Sequence, residues 1–153
     1  MAANKRILAL DLGTTTGWAI GASPDNVVSG TWDLKPRRFE GGGMRFVRFH
    51  EHLHKLVQAL GFHEVVFEEV RAHKGVDAAH VYGGLMATLT RWCEETGTPY
   101  AGVPVGEIKK YWTGKGNANK SQMIAAAEAL GFKPVDDNEA DALALLHLKL
   151  SQQ

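Results

Sequence analysis

The chain opens with three short apolar or alternating stretches separated by turn residues. Residues 5–12 (KRILALDL) are largely apolar, and residues 14–22 (TTTGWAIGA) follow after one glycine. Ser23-Pro24-Asp25-Asn26 is a turn cluster ahead of residues 27–34 (VVSGTWDL). Such stretches predict strands, and their tight connections predict an antiparallel meander. From about residue 44 the period becomes helical: Phe46, Phe49, Leu53, Leu56, Val57 and Leu60 share one stripe, and Gly61 closes it. Residues 64–70 (EVVFEEV) predict a buried strand, Val76 to Thr96 a long helix, and residues 100–105 another strand. Helical segments follow near 105–112, over 119–130 before Gly131, and over 137–150, with a Gly/Lys/Asn loop at 114–119. A meander followed by βα units predicts an α/β fold with a mixed five-stranded sheet flanked by helices.

Composition narrows this picture. The 153 residues suit one domain spanning 1–153, with 44% hydrophobic and 22% charged residues. No apolar run approaches the length of a membrane span, so no membrane association is expected. The N-terminus carries a carboxylate within its apolar stretch and lacks a small-residue cleavage site, unlike a signal peptide. Cys93 is the single cysteine, which excludes an intramolecular disulfide and fits a reducing cytoplasm. It stands beside Trp92 without an evident histidine partner, as a buried structural thiol would.

Several carboxylates interrupt apolar elements. Asp11 ends the first strand on the face of Ile7 and Ala9, Glu68 and Glu69 end the VVFEE strand on opposite faces, and Asp141 lies within EADALALLHL. Aspartate is a poor interior helix former, and burying several carboxylates is costly unless a cation compensates. Magnesium suits a few carboxylates plus water and phosphate, and two ions about 3.5–4 Å apart can drive phosphodiester hydrolysis. Each residue also has an ordinary alternative: Asp11 could orient the threonine turn, one of Glu68 and Glu69 could be an exposed strand-end charge, and Asp136 or Asp137 could be a helix N-cap.

ILALDLGTTTGWAI resembles the opening strand and turn of RuvC-type Holliday junction resolvases, within the RNase H-like superfamily. VVFEEV resembles that family's second acidic strand, VGEIKKYWTGKGNANKSQM its lysine-bearing segment, and DDNEADALALLH its final acidic helix. The four pieces occur in the family's order over nearly the whole chain. The resemblance implies a homodimeric, Mg²⁺-dependent endonuclease that nicks four-way DNA junctions symmetrically, with two ions per site and Mn²⁺ as a substitute. It carries metal binding and catalysis onto Asp11, Glu68 and Asp141, and a role near the scissile phosphate onto Lys109 and Lys120. The compact length suggests a phage or phage-derived version.

Two positions depart from the family pattern. Asn138 stands where a second acid usually precedes the last aspartate, and Asp137, one turn before Asp141, is the candidate to replace it. Arg71 stands where the bacterial enzymes carry an aromatic that stacks at the junction; a guanidinium can stack or hold phosphate. With Arg71 and Lys109, Lys110, Lys115 and Lys120 complete the expected DNA-binding set.

Other motifs compete. His50, Glu51 and His54 match HExxH on a predicted helix, but Val57 and Leu60 occupy the places of the extended zincin motif. The DLGTTT turn also resembles the phosphate loop of the actin and sugar-kinase superfamily, whose enzymes close two domains over ATP, more than this length supplies. The GKGNANK loop lacks Walker A spacing and reads either as a solvated turn or as a phosphate grip. The helix bearing Val76, Ala79, Val81, Leu85 and Leu89 reads most simply as core, and with Tyr82, Gly83, Gly84 and Met86 it is also a candidate dimer face, as the resemblance implies.

The formal net charge is zero, from 17 basic and 17 acidic residues, yet the charges are segregated. Residues 35–48 carry a net +4, residues 109–133 a net +4, and residues 134–148 a net −4. Basic surfaces beside an acidic pocket suit a nuclease. Within the superfamily a nuclease for other branched DNA or RNA is the alternative; a junction-binding module with a crippled site is another.

Overall fold

A computed structural model describes residues 5–153. Five strands form one mixed sheet: β1 (Ile7–Asp11), β2 (Thr15–Gly21), β3 (Val27–Asp33), β4 (Glu64–Glu69) and β5 (Tyr100–Pro104). Their order is β3-β2-β1-β4-β5. The first three pair antiparallel, as the short turns require, while β4 joins β1 and β5 joins β4 in parallel. Five helices cover the sheet: α1 (Met44–Ala59), α2 (Val76–Thr96), α3 (Val105–Thr113), α4 (Lys120–Ala129) and α5 (Asp137–Ser151).

Central β1 is apolar up to its final Asp11 because both its faces are covered. Leu8 and Leu10 pack with Phe49 and Leu53 of α1 and Leu85 and Leu89 of α2. Ile7 and Ala9 pack with Ala19, Val66 and α5, supported by α3 and α4. On this second face small residues meet: Ala9, Ala19, Ala140 and Ala144 are fully buried, so α5 lies close to the sheet. Gly17 makes the closest approach of all, since a Cβ there would stand 1.9 Å from the Asn138 carbonyl oxygen.

The first turns of α2 depart from the sequence expectation. Val76 is 70% exposed and Ala79 is also exposed, because α2 begins beyond the edge of the core. Conversely, Tyr82 is buried and Gly84 packs against the Phe46 ring, so neither is free to form a dimer face. Cys93 is buried, and that burial pushes its thiol up to about 11, which leaves it inert near neutral pH. None of the helices described is long and apolar enough to cross a membrane.

Candidate metal centre and nucleic-acid surface

Parallel strands end at the same edge of a sheet, and this places the first two acids together. Leu10 pairs with Phe67, so Asp11 and Glu68 each stand one residue beyond a paired position at the C-terminal ends of β1 and β4. By strand alternation both point to the α5 face, where Asp141 enters from the first turns of the helix. Oxygens of Asp11, Glu68 and Asp141 all lie within 4.8 Å of one another. Glu69 points the other way and pairs with Arg71 at 3.2 Å, the strand-end charge expected for one of the two.

The electrostatics of this cluster are unfavourable without a cation. Burial first, then the neighbouring Glu68 carboxylate, holds Asp11 well above the ordinary carboxylate range; Asp141 and Asp137 add to the effect. Asp141 is pushed up to about 8, chiefly by burial and then by Glu68 and Asp137, while Lys109 partly offsets this. Asp141 Oδ1 is buried without any hydrogen-bond partner. Buried polar atoms are rarely left so, and an oxygen-only donor set with an orphaned acceptor fits a hard divalent cation.

These raised carboxyls make stability depend on pH. Each contributes stability fully present below its ordinary value of 3.8, and that contribution is lost as pH rises through the folded-state value, about 8 for Asp141. The metal-free protein should therefore melt several degrees lower at pH 8 than at pH 5. Asp141→Asn should flatten that slope in calorimetric melts. A melting temperature that is level or rises over this range, with no difference in the variant, contradicts the assignment.

The local structure holds the acids in place. Tyr82 of α2 donates its hydroxyl to the Glu68 carbonyl at 2.8 Å and accepts from the Val70 N–H at 3.1 Å, bracing the end of β4. Asp136 caps α5 by accepting from the Glu139 N–H at 2.9 Å. Glu139 is buried but satisfied: Ser29 Oγ donates to it at 2.7 Å and the Val135 N–H at 3.0 Å. That contact ties the start of α5 to β3. Ser29, Glu139 and the bracing role of Tyr82 escaped the sequence reading because each acts through a tertiary contact.

The remaining candidates divide. Asp137 shares the Asp141 face of α5 and its charge acts on Asp11 and Asp141, but its oxygens lie outside the close cluster. Its Oδ2 stands 3.9 Å from Lys120 Nζ. The Asn138 amide is turned to Asp136 instead, at 3.3 Å. Lys109 is half-buried on α3 near Asp141, whereas Lys110 and Lys115 are exposed. Asn119 caps α4 through a reciprocal pair with Gln122, which sets Lys120 in its first turn. Arg71 is exposed beyond β4, where Glu68, Arg71, Pro104 and Val105 help line a groove of about 470 Å³.

The zincin alternative has no third ligand beside His50 and His54 among the described residues. His50 and His54 are exposed on α1, and His52 stacks on Trp32 at 4.8 Å between ring centroids. Among the described residues, the metal-capable group is Asp11, Glu68 and Asp141.

No protein-family model matches the chain. It is 33% identical over 146 residues to the crossover junction endodeoxyribonuclease RuvC of Halorhodospira halophila, covering 91% of this chain and 86% of that protein. The corresponding RuvC of Magnetococcus marinus is 31% identical over 156 residues, covering 97% and 85%. Among solved structures, Thermus thermophilus RuvC in complex with Holliday junction substrate superposes with a TM-score of 0.79 at 21% identity, covering 97% of this chain and 95% of that one. The yeast mitochondrial Holliday junction resolvase superposes with a TM-score of 0.61 at 13% identity, over 99% of this chain and 82% of that one. These structural likenesses establish the fold, and the expected mixed sheet is the one they share.

Proposed function

Because the chain belongs to the RuvC family of crossover junction endodeoxyribonucleases, we propose that it resolves four-way DNA junctions by hydrolysing phosphodiester bonds. The observation that carries the reading is the partnerless Asp141 Oδ1 inside a three-carboxylate cluster on an RNase H-like sheet. Magnesium held by Asp11, Glu68 and Asp141, with Mn²⁺ as a substitute and two ions in the loaded site, would supply an activated water and charge stabilisation at the phosphate.

The chain's own residues do the rest. Asp11 and Glu68 present oxygens from rigid strand ends, and Asp141 presents its own from a helix packed through alanines, so little reorganisation accompanies loading. Asp137 adds negative charge from one turn earlier and holds Lys120 at 3.9 Å. Lys109 and Lys120 lie where they can neutralise oxygens of a phosphate seated at the cluster. Lys110, Lys115 and Arg71, all exposed, extend that positive surface along the DNA backbone. Two symmetric nicks require two sites, so the acting species is a homodimer of one-domain chains. The exposed first turns of α2, at Val76 and Ala79, leave apolar surface open to that pairing. A single buried thiol fits a cytoplasmic setting.

A gel-shift and cleavage comparison tests the reading. Without divalent cation the protein should bind a synthetic four-way junction at least about tenfold more tightly than linear duplex of the same sequence, a gap of about 1.4 kcal/mol. Added Mg²⁺ should start cleavage of the junction. Binding with no nicks, even in Mn²⁺, would leave a junction-binding module; equal cutting of linear duplex would leave a nuclease of other specificity.

A further inference from the structure

Phe39 is the most exposed of the large apolar side chains described, at 94%. Among the described residues it is also the one non-glycine with a positive φ, +70°. A bulky residue rarely adopts that conformation, and water gives no reason to keep a phenyl ring there. The surrounding loop is nevertheless well anchored. Before it, Leu34 is fully buried and donates its N–H to the Thr14 carbonyl at 2.8 Å. After it, Glu40 accepts from the Arg37 N–H at 2.6 Å and pairs with Arg48 of α1 at 2.5 Å. The ring is thus held outward by a fixed turn.

Position and charge indicate what it meets. Thr15 pairs with Asp33, so the loop leaves β3 at the same end of the sheet where β1 finishes in Asp11 and β4 in Glu68 and Glu69. Lys35, Arg37 and Arg38 flank the ring, all exposed, and none is in an ion pair among the described residues. The Arg38 guanidinium carbon lies 5.0 Å from the ring centroid. An aromatic face set among cations is the arrangement that stacks an unpaired base while its neighbours hold the backbone.

We infer that Phe39 stacks on an unpaired base at the branch of the DNA substrate, with Lys35, Arg37 and Arg38 gripping the adjacent phosphates. It supplies an aromatic contact in a chain that carries Arg71 after β4. The inference rests on the junction-cutting reading above and adds a second point of engagement to it.

Phe39→Gly tests it, because glycine accepts the positive φ and the variant should fold at least as stably, melting at an equal or higher temperature. With 2-aminopurine at the branch point of a four-way junction, the wild type should raise its fluorescence on binding as the base leaves its stack. Phe39→Gly should lose that rise and bind the junction about tenfold more weakly, with linear-duplex affinity unchanged. Phe39→Tyr should restore both. Unchanged junction affinity and fluorescence, or equal weakening on junction and duplex, would overturn the assignment. If the wild type shows no junction preference, the functional reading has failed rather than this one. Single-stranded DNA then decides: a tenfold loss there in Phe39→Gly supports stacking, and no loss overturns it.

Discussion

Asp11→Asn should lower the rate of junction cleavage by at least about 10³-fold while leaving junction affinity within about twofold. The substitution keeps the shape of the side chain and removes one charge from the centre of the cluster. Burial first, then Glu68, Asp141 and Asp137, all oppose the ionisation of Asp11. An amide there is easier to bury, so the metal-free variant should be no less stable than the wild type. In the proposed reading DNA contacts fall to the basic side chains around the cluster, which the change does not touch. Single-turnover cleavage and gel shift on the same preparation check both halves. Cleavage retained within tenfold would remove Asp11 from the reacting centre.

Gly17→Ala should be the most damaging small substitution away from the acids. Its Cβ would stand 1.9 Å from the Asn138 carbonyl oxygen and 2.9 Å from the Glu139 nitrogen, both backbone atoms at the start of α5. Backbone cannot rotate aside, so α5 must move off the sheet. Overpacking of this kind costs about 1–3 kcal/mol or more. The displaced helix carries Asp141, and a shift of about 1 Å in a reacting group can cost about 10²-fold in rate. Urea unfolding and cleavage rates measured on one variant should therefore both fall. A variant with wild-type stability and activity would show that α5 yields without consequence.

The legible parts of this molecule were those where one residue contradicts its own element. Asp11 stands in an apolar strand and Asp141 in an apolar helix, and both clashes with local preference mark the cluster that the sheet assembles. The antiparallel meander of the first three strands was legible from its turns, since those around Gly13 and Ser23 are too short for a crossover, whereas the placement of β4 beside β1 came only with the structure. Val76 and Ala79 misled because periodicity reports which face of a helix is apolar, not where the helix outruns the core. Tyr82 misled differently, since its role lies in a hydroxyl reaching the end of β4, and no spacing encodes that contact. Gly17 was silent until the approach of α5 was seen. At the start of α5 the sequence left Asp137 and Asn138 open: the Asp137 charge acts on Asp141 from outside the three-oxygen cluster, while the Asn138 amide turns to Asp136.

One measurement bears most directly on a metal-assisted, junction-selective nuclease built on Asp11, Glu68 and Asp141. A synthetic four-way junction, end-labelled in turn on each of its strands, is incubated with the protein in Mg²⁺ and resolved on a denaturing gel. The expected result is a pair of nicks at symmetric positions on two opposed strands, absent in EDTA and absent from linear duplex. Cutting that persists in EDTA, or that falls equally on linear duplex, would contradict it.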